Sequence, residues 1–380
     1  MNPLESPPHG GKAVSDRHRA RWWHRQKARV VCDLCPRHCA LKDGDYGFCF
    51  VRQNCGGQLV LNTYGRSTGF CIDPVEKKPL HHFFPGTSVL SFGTAGCNMG
   101  CKFCQAWEIT KSKQVLDRLS QKATPEMIAH AAVRLGCDSV AFTYNDPVIW
   151  AEYAIDTAHA CHDRGLKTIA VTAGFICAEP RQAFFEVMDA TNVDLKGFTE
   201  HFYRHLTLSH LQPILETLQW IKHESSVWLE ITNLVIPGAN DDRDDIRRMC
   251  QWIHDELGDE VPLHFTAFHP DYRMMDTPPT PSRTLVDARR IALETGLHYV
   301  YVGNVDDPKR QSTYCPGCKA PLIGRRWYDI DTYQLDQNRC RNCGHTIAGH
   351  FGEKPGHWGT KRVPVDPAAL LRSLETEARV

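Results

Sequence analysis

The chain has 380 residues, 44 Lys+Arg against 44 Asp+Glu, and 17 cysteines. A formal net charge of zero gives no bulk electrostatic case for a nucleic-acid or anionic-membrane partner, and no run of about 18 apolar residues is present to span a membrane. The cysteine count is odd and most of the thiols are clustered, which points to metal ligation in a reducing compartment rather than to a disulfide framework.

Residues 1–29 read as a basic, solvated and flexible arm carrying Lys12, Arg17, Arg19, Arg21, Arg25, Lys27 and Arg29 beside Trp22 and Trp23. The arm lacks the apolar core of a secretory signal, so the cytoplasm is the expected location. Residues 30–80 form a Cys- and Gly-rich module with Cys32-x2-Cys35-x3-Cys39-x9-Cys49, followed by Cys55 and Cys71. Four clustered thiols in a loop-rich stretch suit zinc or a second iron–sulfur cluster.

Residues 81–311 alternate strand and helix. Apolar, β-rich runs at Ser88–Phe92, Ser139–Thr143, Lys167–Thr172, Asn192–Leu195, Val227–Leu234, Pro262–Phe268 and His298–Val302 predict strands. Between them, Pro125–Leu135, Val148–Arg164, Arg181–Met188, Pro213–His223, Asp244–Glu256 and Ser282–Glu294 carry helical patterns. Thr124-Pro125 gives the first helix an N-cap and a proline at its first position. The repeat predicts an α/β class with parallel strands and right-handed crossovers. Residues 312–352 carry two knuckles, Cys315-Pro-Gly-Cys318 and Cys340-Arg-Asn-Cys343, which suit zinc or rubredoxin-type iron. Residues 353–380 form a tail ending in a helix-like run, Pro367–Ala378.

The most specific feature is Cys97-x3-Cys101-x2-Cys104, directly after the first core strand. Zinc sites favour paired C-x2-C knuckles, and this triplet fits that pattern poorly. Three thiolates can hold three corners of a [4Fe–4S] cube and leave its fourth iron open to a ligand. Phe103 stands where an aromatic ring can lie beside a purine.

On these residues the chain resembles the radical SAM superfamily. The resemblance implies a partial TIM barrel, a (β/α)6 core with its chemistry at the C-terminal ends of the strands. It also implies reductive cleavage of S-adenosylmethionine (SAM) to a 5′-deoxyadenosyl radical, which abstracts hydrogen from a substrate that could itself be a protein. A reductant protein of flavodoxin or ferredoxin type is the implied electron donor. In the pyruvate formate-lyase activating enzymes, which the chain resembles more narrowly, a Tyr-Asn-Glu-Pro type segment meets the SAM amino group. Here the segment is Tyr144-Asn145-Asp146-Pro147, with Asp146 in place of glutamate. Thr172-Ala173-Gly174 stands where Thr-Asn-Gly is usual, and Asp194-Leu195-Lys196 supplies the SAM contacts Asp194 and Lys196. Glu230, which shares a strand face with Thr232, is a further candidate for cofactor binding, and His269, rather than His264, matches the histidine that approaches SAM.

The flanks, Cys32-x2-Cys-Pro-x2-Cys39, Gly47-Phe48-Cys49-x-Val51-Arg52, Asp73-Pro74-Val75-Glu76-Lys77-Lys78-Pro79-Leu80 and Ile236-Pro237-Gly238-Ala239-Asn240-Asp241, are similar to the AmmeMemoRadiSam system radical SAM enzymes. That context implies partners of the Memo-like and AMMECR-like types. Two other readings compete. One is a metal-stabilised nucleic-acid-binding or RNA-modifying protein, which the basic arm supports only weakly. The other is an electron-transfer or scaffold iron–sulfur protein.

Overall fold

Seven strands lie side by side in chain order, each parallel to the next, with a helix in every crossover. They are β1 (Ser88–Gly93), β2 (Ser139–Phe142), β3 (Lys167–Thr172), β4 (Ala190–Asp194), β5 (Trp228–Val235), β6 (Leu263–Ala267) and β7 (Val300–Gly303). The helices are α1 (Pro125–Arg134), α2 (Ala151–His162), α3 (Ala178–Phe185), α4 (Gln212–Glu224), α5 (Arg243–Leu257) and α6 (Ser282–Glu294). The sheet stays open: β7 ends one edge, and beyond β1 the strand Arg66–Pro74 runs antiparallel. The structure, a computed structural model, describes residues 18–111 and 121–366; the expected helix Pro367–Ala378 and the arm before residue 18 lie outside them. Among the described residues no helix is long and apolar enough to cross a membrane.

Local chemistry fixes these elements. Thr124 accepts a hydrogen bond from the Met127 N–H at 3.3 Å and Pro125 opens α1, so that end is capped as the sequence implies. In α5, Asp242 accepts from the Asp244 and Asp245 N–H groups, and Ile246, Met249, Cys250, Ile253 and Leu257 form the buried stripe. Gly258, with φ +88°, follows the last turn.

Two expected boundaries move. Residues 18–29 are not a loose arm: His18–Arg19 pairs with Gln58–Leu61, and Trp23–Gln26 forms a hairpin with Arg29–Cys32. The small N-terminal module ends before Arg66–Pro74, because that strand belongs to the main sheet. The module is clamped to α2 by a fully buried ion pair between Arg52 and Glu152; Arg52 also donates to the Ile149 carbonyl at 3.0 Å, and Glu152 accepts from the Arg21 N–H at 2.7 Å.

The C-terminal module is a three-stranded antiparallel sheet (Thr313–Tyr314, Pro321–Arg326, Asp329–Tyr333) and a hairpin (Leu335–Asp336, Arg339–Cys340). Its core includes Leu322, Ile323, Leu335 and Ile347 but is completed by Tyr299 and Tyr301 from the barrel edge. The module therefore covers the floor of the barrel, the end at which the strands begin. The segment between Pro74 and β1 is held there. Arg325, wholly buried, donates to the His81 carbonyl at 2.6 Å and faces Glu76 at 3.6 Å. His82 donates from Nδ1 to the Ala348 carbonyl and accepts the Tyr301 hydroxyl at Nε2, both at 2.6 Å.

Burial holds His82 down at about 4 and holds His81 well below the ordinary histidine value. In the unfolded chain both would take protons near pH 6.5. Their contribution to stability is therefore complete above about pH 6.5 and is lost as the pH falls toward about 4, because the unfolded state binds more protons across that window. The urea midpoint should accordingly drop between pH 7 and pH 5, and the drop should shrink in His82→Phe. A midpoint independent of pH over this range would contradict the neutral histidine floor.

Candidate active site

The mouth of the barrel holds a cavity of about 440 Å³. Cys97, Cys101, Phe103 and Cys104 line one wall, and the ends of the strands supply Asn145, Asp146, Thr172, Asp194, Lys196 and Thr232. The volume is in the range of small-molecule and cofactor sites. The structure thus brings together most of the expected site residues, drawn from the ends of β2 to β5 and from the loop after β1.

That loop is irregular backbone and needs partners outside itself. Asn145 provides three of them, at residues 94–96. Its side-chain oxygen accepts the Thr94 N–H at 3.0 Å, and its amide donates to the Ala95 carbonyl at 3.3 Å and the Gly96 carbonyl at 2.9 Å. From a second side, a single π-helical turn, Tyr203–Thr207, presents carbonyls to the loop: Gly100 N–H donates to Thr207 at 2.7 Å and Lys102 N–H to Leu206 at 2.8 Å. From a third side the N-terminal module packs on Gly96, which has φ +86°; a Cβ there would sit 2.2 Å from the Cys49 carbonyl oxygen.

Asp146 plays two structural parts and keeps room for a third. Its Oδ1 caps the turn after β2 by accepting the Val148 N–H at 3.1 Å and also accepts the Thr172 hydroxyl at 2.8 Å; its Oδ2 accepts the Ala173 N–H at 3.1 Å. Burial raises its pKa, against the pull of these donors. Oδ2 has capacity for one further donor. Asp194 and Lys196 face one another at 2.8 Å across the cavity wall. Burial alone would lower the Lys196 ammonium, but Asp194 and the nearby Cys101 sulfur hold it above the ordinary lysine value.

The cysteines themselves suit a metal cluster, since three soft sulfur donors, none in a disulfide, line one cavity. Burial pushes the Cys97 thiol up to about 12 and raises Cys101 as well. Thiolates in this setting form only with a bound cation at hand, as iron would be.

Two expected residues lie elsewhere. Glu230 does share a face with Thr232, but it sits two residues nearer the start of β5, about 7 Å lower along the strand. There it accepts hydrogen bonds from the His81 N–H at 2.9 Å, the His82 N–H at 2.7 Å, Trp228 Nε1 at 3.0 Å and His264 Nε2 at 2.6 Å. Burial would raise it, yet these donors keep its carboxylate below the usual range. Glu230 is thus the polar hub of the floor, with no surface in the cavity. His269 is exposed at the rim, 3.1 Å from Gln105 Nε2 and 3.8 Å from Asp271. Sequence reasoning passed over Pro79, Thr266 and Asn304, which also line the cavity. Thr266 and Asn304 stand at the ends of β6 and β7, and that position was the available signal.

The two other cysteine sets are distinct. Cys315, Cys318, Cys340 and Cys343 bring their sulfurs within 4.8 Å of one another and could hold a metal ion. Cys32, Cys35, Cys39 and Cys49 line a second, smaller cavity behind the Cys97 loop, whereas Cys55 and Cys71 stand apart from it.

Residues 92–252 match the radical SAM superfamily. An uncharacterised protein of Methanocaldococcus jannaschii is 42% identical over 322 residues, spanning 84% of this chain and 95% of that one. The pyruvate formate-lyase 1-activating enzyme of Escherichia coli is 24% identical over 193 residues, 49% of this chain and 75% of the enzyme. Among solved structures, a radical SAM methyltransferase from Sphaerobacter thermophilus aligns with a TM-score of 0.47 at 13% identity, over 58% of this chain and 67% of that one. The chain belongs to the radical SAM superfamily, is related to the pyruvate formate-lyase activating enzymes, and is an enzyme of that class. Membership implies a [4Fe–4S] cluster and SAM.

Asn145→Ala removes the donor and acceptor that hold residues 94–96. Leaving these buried backbone groups unpaired should cost about 1–3 kcal/mol of stability. The variant should also retain less cluster iron and sulfide after anaerobic reconstitution, measured against wild type.

Proposed function

We propose that this enzyme cleaves SAM reductively at the cavity above the barrel and uses the product to take hydrogen from a substrate. The convergence of Cys97, Cys101 and Cys104 with Asp146, Thr172, Asp194 and Lys196 on one cavity carries this reading. The three cysteines would hold the cluster, leaving one iron for the amino and carboxylate groups of SAM. When bound, the cluster and SAM supply one-electron cleavage of a sulfonium bond and a 5′-deoxyadenosyl radical.

The chain's own residues bind and orient. Oδ2 of Asp146 accepts from the SAM amino group, while its bonds to Thr172 and Ala173 fix the carboxylate in place. Asp194 is available to ribose hydroxyls, with Lys196 keeping it ionised. Phe103, buried at the cavity wall, offers a flat apolar surface to adenine. Cys97, Cys101 and Lys196 lie in a wall that the π-turn and the N-terminal module shield from water. A flavodoxin- or ferredoxin-type protein supplies the electron. The flanking motifs support an AmmeMemoRadiSam-type role with Memo-like and AMMECR-like partners. The resemblance to activating enzymes favours a protein-borne substrate.

At the C-terminal knuckles we assign zinc. The Cys315–Cys343 and Cys318–Cys340 sulfur separations of 3.6 and 3.7 Å match the edge of a tetrahedron with Zn–S bonds of about 2.3 Å.

Anaerobically reconstituted protein given dithionite and SAM should release 5′-deoxyadenosine, and Cys101→Ala should release none. Product formation by that variant would exclude the assignment. Metal analysis should find about one zinc per chain, lost in Cys343→Ala. Iron in that position would instead make the module rubredoxin-like.

A further inference from the structure

The N-terminal cysteines take no part in the reading above, yet the fold gathers them. Cys32 ends a strand, Cys35 and Cys39 share the loop that follows it, Cys49 precedes the Arg52–Cys55 strand, and all four line one small cavity closed by Leu34 and Ile149. None is in a disulfide. Unpaired structural thiols would each find their own niche in the core. These four converge instead.

Backbone amides face these sulfurs. The Leu34 N–H lies near the Cys32 sulfur and the Arg37 N–H near the Cys35 sulfur. Cys39 accepts the Phe48 N–H at 3.5 Å, and Cys49 accepts the N–H groups of Val51 and Arg52. Each sulfur therefore faces at least one backbone donor, the kind of contact that stabilises and tunes cluster sulfurs. Gly47 keeps space clear at the centre: a Cβ on it would stand 3.7 Å from the Cys49 sulfur and 3.8 Å from the Cys39 sulfur. Cationic charge is at hand, since buried Arg52 acts on Cys32 and Cys49, and Arg37 on Cys35, Cys39 and Cys49.

The spacing separates this set from the C-terminal one. Among the described residues, only Cys315, Cys318, Cys340 and Cys343 form a group of three or more potential ligands whose atoms all lie within 4.8 Å of one another. The N-terminal sulfurs surround a cavity and are too widely set for one tetrahedral ion.

We propose that Cys32, Cys35, Cys39 and Cys49 hold a second [4Fe–4S] cluster, fully ligated by protein and set directly behind the SAM-binding cluster. The two sites share a wall. Asn98 lines the N-terminal cavity, while its neighbours Cys97 and Met99 line the catalytic one. Arg37 spans the gap, donating from Nε to the Asn98 carbonyl at 2.5 Å. With a cysteine at every corner, this cluster has no open iron for SAM, which suits it to carrying single electrons.

The test uses the full chain and does not depend on SAM cleavage. Anaerobic reconstitution of wild type should give about eight acid-labile sulfides per chain, a quantity that a zinc or rubredoxin site at the ribbon does not add to. The variant Cys97→Ala/Cys101→Ala/Cys104→Ala should keep about four sulfides and a [4Fe–4S] Mössbauer signal. Its EPR spectrum, once reduced, should be unchanged by SAM. Adding Cys35→Ala and Cys39→Ala should abolish both the sulfide and the signal. A triple variant that folds by circular dichroism but binds no sulfide, or carries a second zinc beyond the one at the C-terminal knuckles, would overturn the proposal. So would wild type with only about four sulfides, or a two-iron spectrum from the N-terminal site, neither of which relies on the triple variant folding.

Discussion

Everything at the mouth of this barrel depends on how an eight-residue stretch of irregular backbone, Cys97 to Cys104, is held still. A loop of this kind cannot satisfy its own amide groups, and a buried unpaired amide is costly. The chain answers with one asparagine side chain at the end of β2, one π-turn after β4, and one carbonyl of the N-terminal module pressed against a glycine. None of these is a cluster ligand. Each fixes the backbone from which a ligand projects, so that three sulfurs meet a cofactor already in position rather than being ordered by it.

The same economy explains the segment Asp73–Leu80. Asp73 is paired with Lys77 at 3.1 Å and Lys78 at 2.9 Å, Glu76 faces Arg325 on the barrel floor, and Pro79 reaches the cavity wall. A single stretch thus ties the edge strand, the C-terminal module and the catalytic cavity together. Its charged residues are paired, all but the exposed Lys77 are buried, and they serve architecture more than chemistry.

Much of this was legible before any coordinates. The alternation of strand and helix placed all seven parallel strands to within a few residues, because buried β-branched runs and capped amphipathic helices are local signals. The cluster triplet and the Asp-x-Lys pair could be read because spacing alone puts such side chains on one face. Height along a strand is another matter. Glu230 and Thr232 have the same parity, but only the register of β5 against its neighbours says which of them reaches the mouth. His269 misled because it stands two residues beyond the end of β6, where strand alternation no longer fixes which way a side chain points. Residues 18–29 read as a solvated arm because their composition is polar, whereas their order comes from pairing with strands further along, which composition cannot reveal.

One quieter feature concerns how the chain is completed. The outer side of Arg66–Pro74 is sealed by Val363–Pro364, which pairs antiparallel with Ile72 and Cys71. During synthesis this sealing piece follows the whole barrel, so the amides it covers at Cys71 and Ile72 stay open until residues 363–364 have been made. Because proline has no N–H to offer, Pro364 then ends the row, and a neighbouring copy finds no donor there to pair with.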